Sequence, residues 1–182
     1  RIVINKMRGV NFLGGFHDVA IETGGLRVFP RLAPELVTDD APRASLSSGI
    51  AALDGLLGGG LDGGTSCLML GPAGTGKSTI ALQFALSAAR RGERVLLCLF
   101  EENRRNMLAR AASVGMPVED FMKSGHITLM SINPAEMSPG AFIHAVLQHI
   151  DRNATKILVI DSLNGFMQAM PDAKFLNVQL HD

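Results

Sequence analysis

Positions 71 to 78 read Gly-Pro-Ala-Gly-Thr-Gly-Lys-Ser, which fits G-x-x-x-x-G-K-[ST] throughout. No other stretch limits the possible folds so strongly, because each residue type meets a demand made by a polyphosphate. The glycines permit a tight turn whose successive backbone N–H groups converge on one anion. Lys77 brings a point charge to the β- and γ-phosphates, and Ser78 brings a hydroxyl to Mg2+. The helix that must follow turns its positive N-terminal end toward the same anion. Gly71, Pro72, Ala73, Gly74, Thr75, Gly76, Lys77, Ser78 and Thr79 are therefore the expected nucleotide-binding residues, with ATP and Mg2+ as the expected ligands.

The motif carries this meaning only between a strand and a helix. Residues 65–70 (Thr-Ser-Cys-Leu-Met-Leu) are a short, mostly apolar run and predict a strand buried on both faces. After Lys77, Ile80, Ala81, Phe84, Ala85, Ala88 and Ala89 recur at helical spacing, and Gly92 predicts the stop. A chance glycine-rich turn ahead of a surface lysine is the weaker reading once both flanks fit.

The rest of the chain from Ser48 alternates in the same way. Helices are predicted over 50–57, 103–114, 118–123 and, from an N-cap at Ser138, through Ile150; strands over 94–100, 126–132 and 156–160. Such alternation predicts an α/β fold, a mostly parallel sheet with helices on both faces. Upstream, residues 2–7 and 18–29 read as strands of a meander with turns at Gly14-Gly15 and Gly24-Gly25. Residues 31–47, rich in Pro, Ala, Asp and Ser, read as a linker between a unit at 1–30 and one at 48–182. The opening Arg1-Ile2-Val3-Ile4, with no initiator Met, predicts a start inside a larger protein.

Seventeen basic residues balance seventeen acidic ones, so no global field draws the chain to nucleic acid or anionic lipid. No apolar run reaches membrane-spanning length, and no signal-peptide pattern opens the chain. Cys67 and Cys98 each lie in an apolar strand-like run and predict two buried thiols rather than a disulfide, which points to the cytoplasm.

Two acidic sites remain to complete a phosphate-handling constellation. Residues 157–161 (Ile-Leu-Val-Ile-Asp) are β formers closed by one carboxylate, as a Walker B strand requires, and make Asp161 the expected Mg2+ partner of Ser78. Glu101-Glu102 ends the 94–100 strand in the same manner. Either acid could orient or deprotonate an attacking water, or the pair could simply open the next helix in solvent; geometry alone leaves both open. The five histidines offer no metal pair, His144 and His149 being five residues apart.

With these residues in place the chain resembles the KaiC family of RecA-like P-loop ATPases. The likeness rests on Ser48-Gly49-Ile50 with Leu53-Asp54 and Leu57-Gly58-Gly59-Gly60-Leu61, the P-loop, Phe100-Glu101-Glu102 and Ile160-Asp161-Ser162-Leu163. Lys6-Met7-Arg8-Gly9 with Gly25-Leu26-Arg27-Val28-Phe29-Pro30 extends it to nearly the whole chain. The resemblance implies a RecA-like module, incomplete at its C-terminus, in which an acid of the pair, Glu101 before Glu102, activates water while Lys77 serves the phosphates. It implies that 1–30 are the closing strands of a preceding module, where Lys6 and Arg8 would reach a neighbouring subunit's first-module site in a hexameric ring. Val10 and Phe12 depart from the polar pattern there. Protein signalling partners and self-phosphorylation stay open. A DNA-dependent motor of the RadA or helicase kind and a non-hydrolysing nucleotide-gated scaffold are the alternatives; the neutral charge speaks against nucleic acid. A sheet lacking its later strands predicts an exposed edge and self-association, one form having the 2–29 hairpin take the place of closing strands, in cis or swapped between chains.

Overall fold

The computed structural model describes residues 1–32, 44–133 and 136–168, with nothing said of the side chain of Gln168. Three strands head the chain, β1 (Ile2–Val3), β2 (Phe16–Glu22) and β3 (Gly25–Phe29), followed by β4 (Ser45–Leu46), α1 (Ala51–Leu56) and β5 (Leu61–Asp62). The remainder alternates: α2 (Lys77–Arg90), β6 (Arg94–Leu99), α3 (Arg104–Ser113), α4 (Val118–Lys123), β7 (Ile127–Ser131), α5 (Pro139–Asn153), β8 (Thr155–Asp161) and α6 (Leu163–Gln168).

The expected parallel sheet is present in the order β7-β6-β8. Its central strand β6 has no polar face to show solvent, so both faces must be covered. Val95, Leu97 and Leu99 point to one side and pack with Leu82, Leu86 and Ala89 of α2, Met107 of α3 and Val118 of α4. Leu96 and Cys98 point to the other, where Phe100, Phe142 of α5 and Phe166 of α6 close the layer. The three phenylalanine rings stand with centroids 5.2 to 5.4 Å apart in tilted and edge-to-face arrangements, as ring quadrupoles favour. Burial pushes the Cys98 thiol up to about 12. The chain is thus α/β with helices on both faces.

The helix boundaries follow the capping chemistry read in the sequence. Asn103 accepts from the Asn106 N–H at 2.9 Å to start α3, and Ser138 accepts from Ala141 N–H at 3.2 Å to start α5. Gly115 adopts φ 71° just beyond α3, a left-handed stop that favours glycine.

Three expectations need correction. Residues 65–70 do not form a strand: no strand among the described residues pairs with them, and Leu68 and Leu70 are 63% and 83% exposed. A strand is stable only against a hydrogen-bonding neighbour, and the outer edge of β8 lies unpaired among the described residues. Cys67 is consequently exposed, not buried. The strand expected over 2–7 stops at Val3; the turn expected at Gly24-Gly25 is present, with φ of 103° at Gly24, and joins β2 to β3. Thirdly, the hairpin does not extend the parallel sheet of its own chain but packs on α5. There Asp18 Oδ2 accepts from the Gly140 N–H at 2.7 Å, the Phe29 ring lies 5.7 Å from that of His144, and His144 Nε2 donates to the Pro30 carbonyl at 3.0 Å. Most of the expected linker lies outside the described residues; its end forms β4, which pairs with β5.

Candidate functional site

The P-loop residues form a turn at the start of α2. Gly74 and Gly76 take φ of 80° and 87°, the left-handed region closed to most side chains. A β-carbon at Gly71 would stand 3.0 Å from Thr75 Oγ1, so the loop closes on itself at that glycine. Thr75 Oγ1 donates to the Pro72 carbonyl at 2.9 Å, and Lys77 Nζ donates to the carbonyls of Gly71 and Pro72 at 2.8 and 2.7 Å. The ammonium is therefore folded back onto the carbonyls that open the loop. Gly76 caps α2 without a side chain, leaving the first-turn N–H groups for an anion.

A polar brace holds this helix to the segment before it. Asp54 accepts from Ser47 Oγ at 2.6 Å and from the Ser48 N–H at 2.7 Å, and these bonds hold its carboxyl below the usual range. Gln83 of α2 donates to the Ser48 carbonyl at 2.8 Å, and Gly49, at φ 75°, approaches Ser87 so closely that a β-carbon would sit 3.2 Å from Ser87 Oγ. Residues 48–54 thus fix the register of α2.

The acidic residues arrive on neighbouring strand ends. Leu99 pairs with Asp161, and the Phe100 N–H donates to the Asp161 carbonyl at 2.9 Å, so Asp161 and Glu101 leave the same edge of the sheet. Ligands of open α/β sheets gather at that edge. The side chains of Ser78 and Asp161 make no hydrogen bond among the described residues. A hydroxyl and a carboxylate of this kind, completed by phosphate oxygens, suit Mg2+, which takes few protein ligands.

The two glutamates have different surroundings. Glu102 receives Arg110 of α3 through both oxygens, Nη2 to Oε2 at 2.7 Å and Nε to Oε1 at 3.3 Å. Arg110 Nη1 also donates to Thr79 Oγ1 at 3.4 Å. Bonding to Glu102 raises the Arg110 guanidinium above its ordinary value against the opposing cost of burial, with Asp161 adding attraction. The Glu101 side chain makes no hydrogen bond among the described residues and lies across Gly165 of α6. The Ser162 side chain accepts from the Gly165 N–H at 3.1 Å and so starts α6.

Sequence reasoning missed Arg110 and Gly165, since neither spacing nor residue type ties them to the acids. Lys6 and Arg8 are exposed on the segment between β1 and β2 and belong to no strand. No group of three His, Cys, Asp or Glu side chains able to hold a metal occurs among the described residues, and no described helix is long and apolar enough to cross a membrane.

A family model described as "ATPase: KaiC" matches residues 46–181. The chain is 29% identical over 174 residues to the "Circadian clock oscillator protein KaiC" of Picosynechococcus sp., covering 96% of this chain and 34% of that protein. It is 28% identical to the protein of the same name from Rippkaea orientalis, covering 94% and 33%, and 28% identical to "Circadian clock oscillator protein KaiC 1" of Synechocystis sp., covering 96% and 33%. The chain spans about a third of the length of these relatives.

Proposed function

This chain belongs to the KaiC family of ATPases, and from that premise we propose that it is a Mg2+-dependent ATP-hydrolysing module working in a nucleotide-dependent ring. Two observations support the reading: the Lys77 ammonium is bonded to the Gly71 and Pro72 carbonyls, and Asp161 and Glu101 leave one edge of the parallel sheet. The loop amides and Lys77 hold the β- and γ-phosphates. Ser78 and Asp161 would hold Mg2+, which supplies charge neutralisation at the phosphate oxygens. Water attacks the γ-phosphorus while the bridging bond to the β-phosphate breaks and its electron pair leaves with ADP. Glu101 accepts the proton of that water, its carboxylate being the one of the pair that no side chain holds among the described residues.

In this reading residues 1–30 belong to a preceding module, and Lys6 and Arg8 act on a neighbour's nucleotide. Transfer of the γ-phosphoryl group to a protein hydroxyl in place of water is the autokinase form of the same chemistry. The module works in the cytoplasm and answers to protein partners, with the balanced charge setting nucleic acid aside.

Calorimetry with Mg2+-ATP tests the foundation: Lys77→Ala should abolish binding, and unchanged binding refutes the P-loop assignment. Turnover measured with and without single-stranded DNA tests the rest. Stimulation by DNA turns the reading to a motor, and tight binding without turnover turns it to a scaffold.

A further inference from the structure

We infer that Arg110 is a positioning residue that locks the Glu101-Glu102 turn to the first turn of the P-loop helix, leaving Glu101 as the acid free to meet water. The inference rests on the hydrolytic reading above and adds to it a division of labour between two adjacent, chemically identical side chains.

Three contacts carry it. Arg110 takes both oxygens of Glu102, so that carboxylate is committed to a two-point ion pair, the geometry in which guanidinium best fixes a carboxylate. The same guanidinium reaches Thr79 Oγ1, one residue past the expected Mg2+ ligand Ser78. Arg110 thereby joins the end of β6, which carries the acids, to the start of α2, which carries the phosphates. Glu101 is then directed by its neighbour's restraint and by the close approach of Gly165, whose hypothetical β-carbon would lie 2.8 Å from Glu101 Cγ. Two adjacent ionised carboxylates would otherwise rearrange by mutual repulsion. Arg110 cancels the charge of one acid and keeps the other aimed.

A positioning role predicts losses in turnover rather than in binding, because an attacking water misplaced by a fraction of an ångström slows chemistry without weakening the phosphate cradle. ATP turnover and Mg2+-ATP affinity are to be measured side by side for the unaltered protein, Arg110→Ala, Arg110→Lys, Glu102→Ala and the Arg110→Ala/Glu102→Ala double variant. Arg110→Ala should lower kcat about ten-fold or more while affinity stays within about three-fold, by analogy with other displaced catalytic groups. Arg110→Lys should recover part of the rate, and the double variant should be no slower than the slower single one. Wild-type kcat in Arg110→Ala overturns the inference, as does a loss confined to affinity or losses that multiply in the double variant. An unaltered protein that binds ATP without turning it over removes the hydrolytic reading itself, and this inference with it.

Discussion

Glu101 and Gly165 are packed so closely that the helix residue has room for no side chain: a β-carbon there would stand 2.8 Å from Glu101 Cγ and 2.8 Å from Phe100 Cβ. Both are atoms near the backbone, so neither can swing aside cheaply. Gly165→Ala should destabilise the fold by about 1–3 kcal/mol through overpacking. It should also slow ATP turnover by displacing Glu101, with nucleotide affinity kept. Denaturant titration and steady-state kinetics check the two effects separately, and an unaltered kcat would show that Glu101 needs no such confinement.

Asp54 gives the segment before the P-loop an acid limit. Its carboxyl lies below the ordinary value of 3.8 because the folded state bonds the ionised form through Ser47 and Ser48. The stability it contributes is therefore complete above that value and is lost as pH falls through the lowered folded value. Thermal melts between about pH 2.5 and 6 should show Asp54→Asn losing less stability on acidification than the unaltered chain. Parallel curves would mean the bonds are matched in the unfolded state.

One carboxylate contributes a backbone cap to the docking of the amino-terminal hairpin on α5. Asp18 satisfies the Gly140 N–H, while Ser138 satisfies that of Ala141, so two first-turn donors are met from two distant parts of the chain. Asp18→Ala should cost about 0.5–2 kcal/mol, the range for losing a helix cap. Hydrogen exchange should rise at Gly140 and over β2–β3 while β6 stays protected. Exchange that rises everywhere alike would mean the hairpin and the parallel sheet unfold as one unit.

An unpaired strand edge beside exposed aliphatic side chains favours association. On β8, Leu158 and Ile160 remain 40% and 38% exposed, and no described strand pairs with its outer edge. Light scattering should give a mass that rises with concentration, and Ile160→Lys should hold the chain closer to a monomer. A single monomeric mass at high concentration would contradict this.

The three-stranded sheet and its helices were legible because each depends on local pattern: Asn103 and Ser138 announce helix starts, and the unbroken apolar run of β6 demands cover on both sides. Residues 65–70 show the opposite case. Their apolar pattern is that of a strand, yet pairing depends on a neighbour that the pattern does not specify. The turn at residues 71–78 could be read because its glycine spacing demands left-handed backbone, which Gly74 and Gly76 adopt. Arg110 could not, since its partners lie eight and thirty-one residues away and meet it only once β6, α2 and α3 have packed. The hairpin contact, spanning 122 residues from Asp18 to Gly140, was equally silent in the sequence.

The contrast between the two cysteines makes the chain its own reporter. Cys98 is sealed between the helical layers with a thiol pushed up to about 12, whereas Cys67 is exposed four residues before the P-loop. A maleimide dye at neutral pH should therefore mark one position only. Its rate of attachment reads out whether the run leading into the glycine-rich loop is open to solvent or covered by a neighbouring strand.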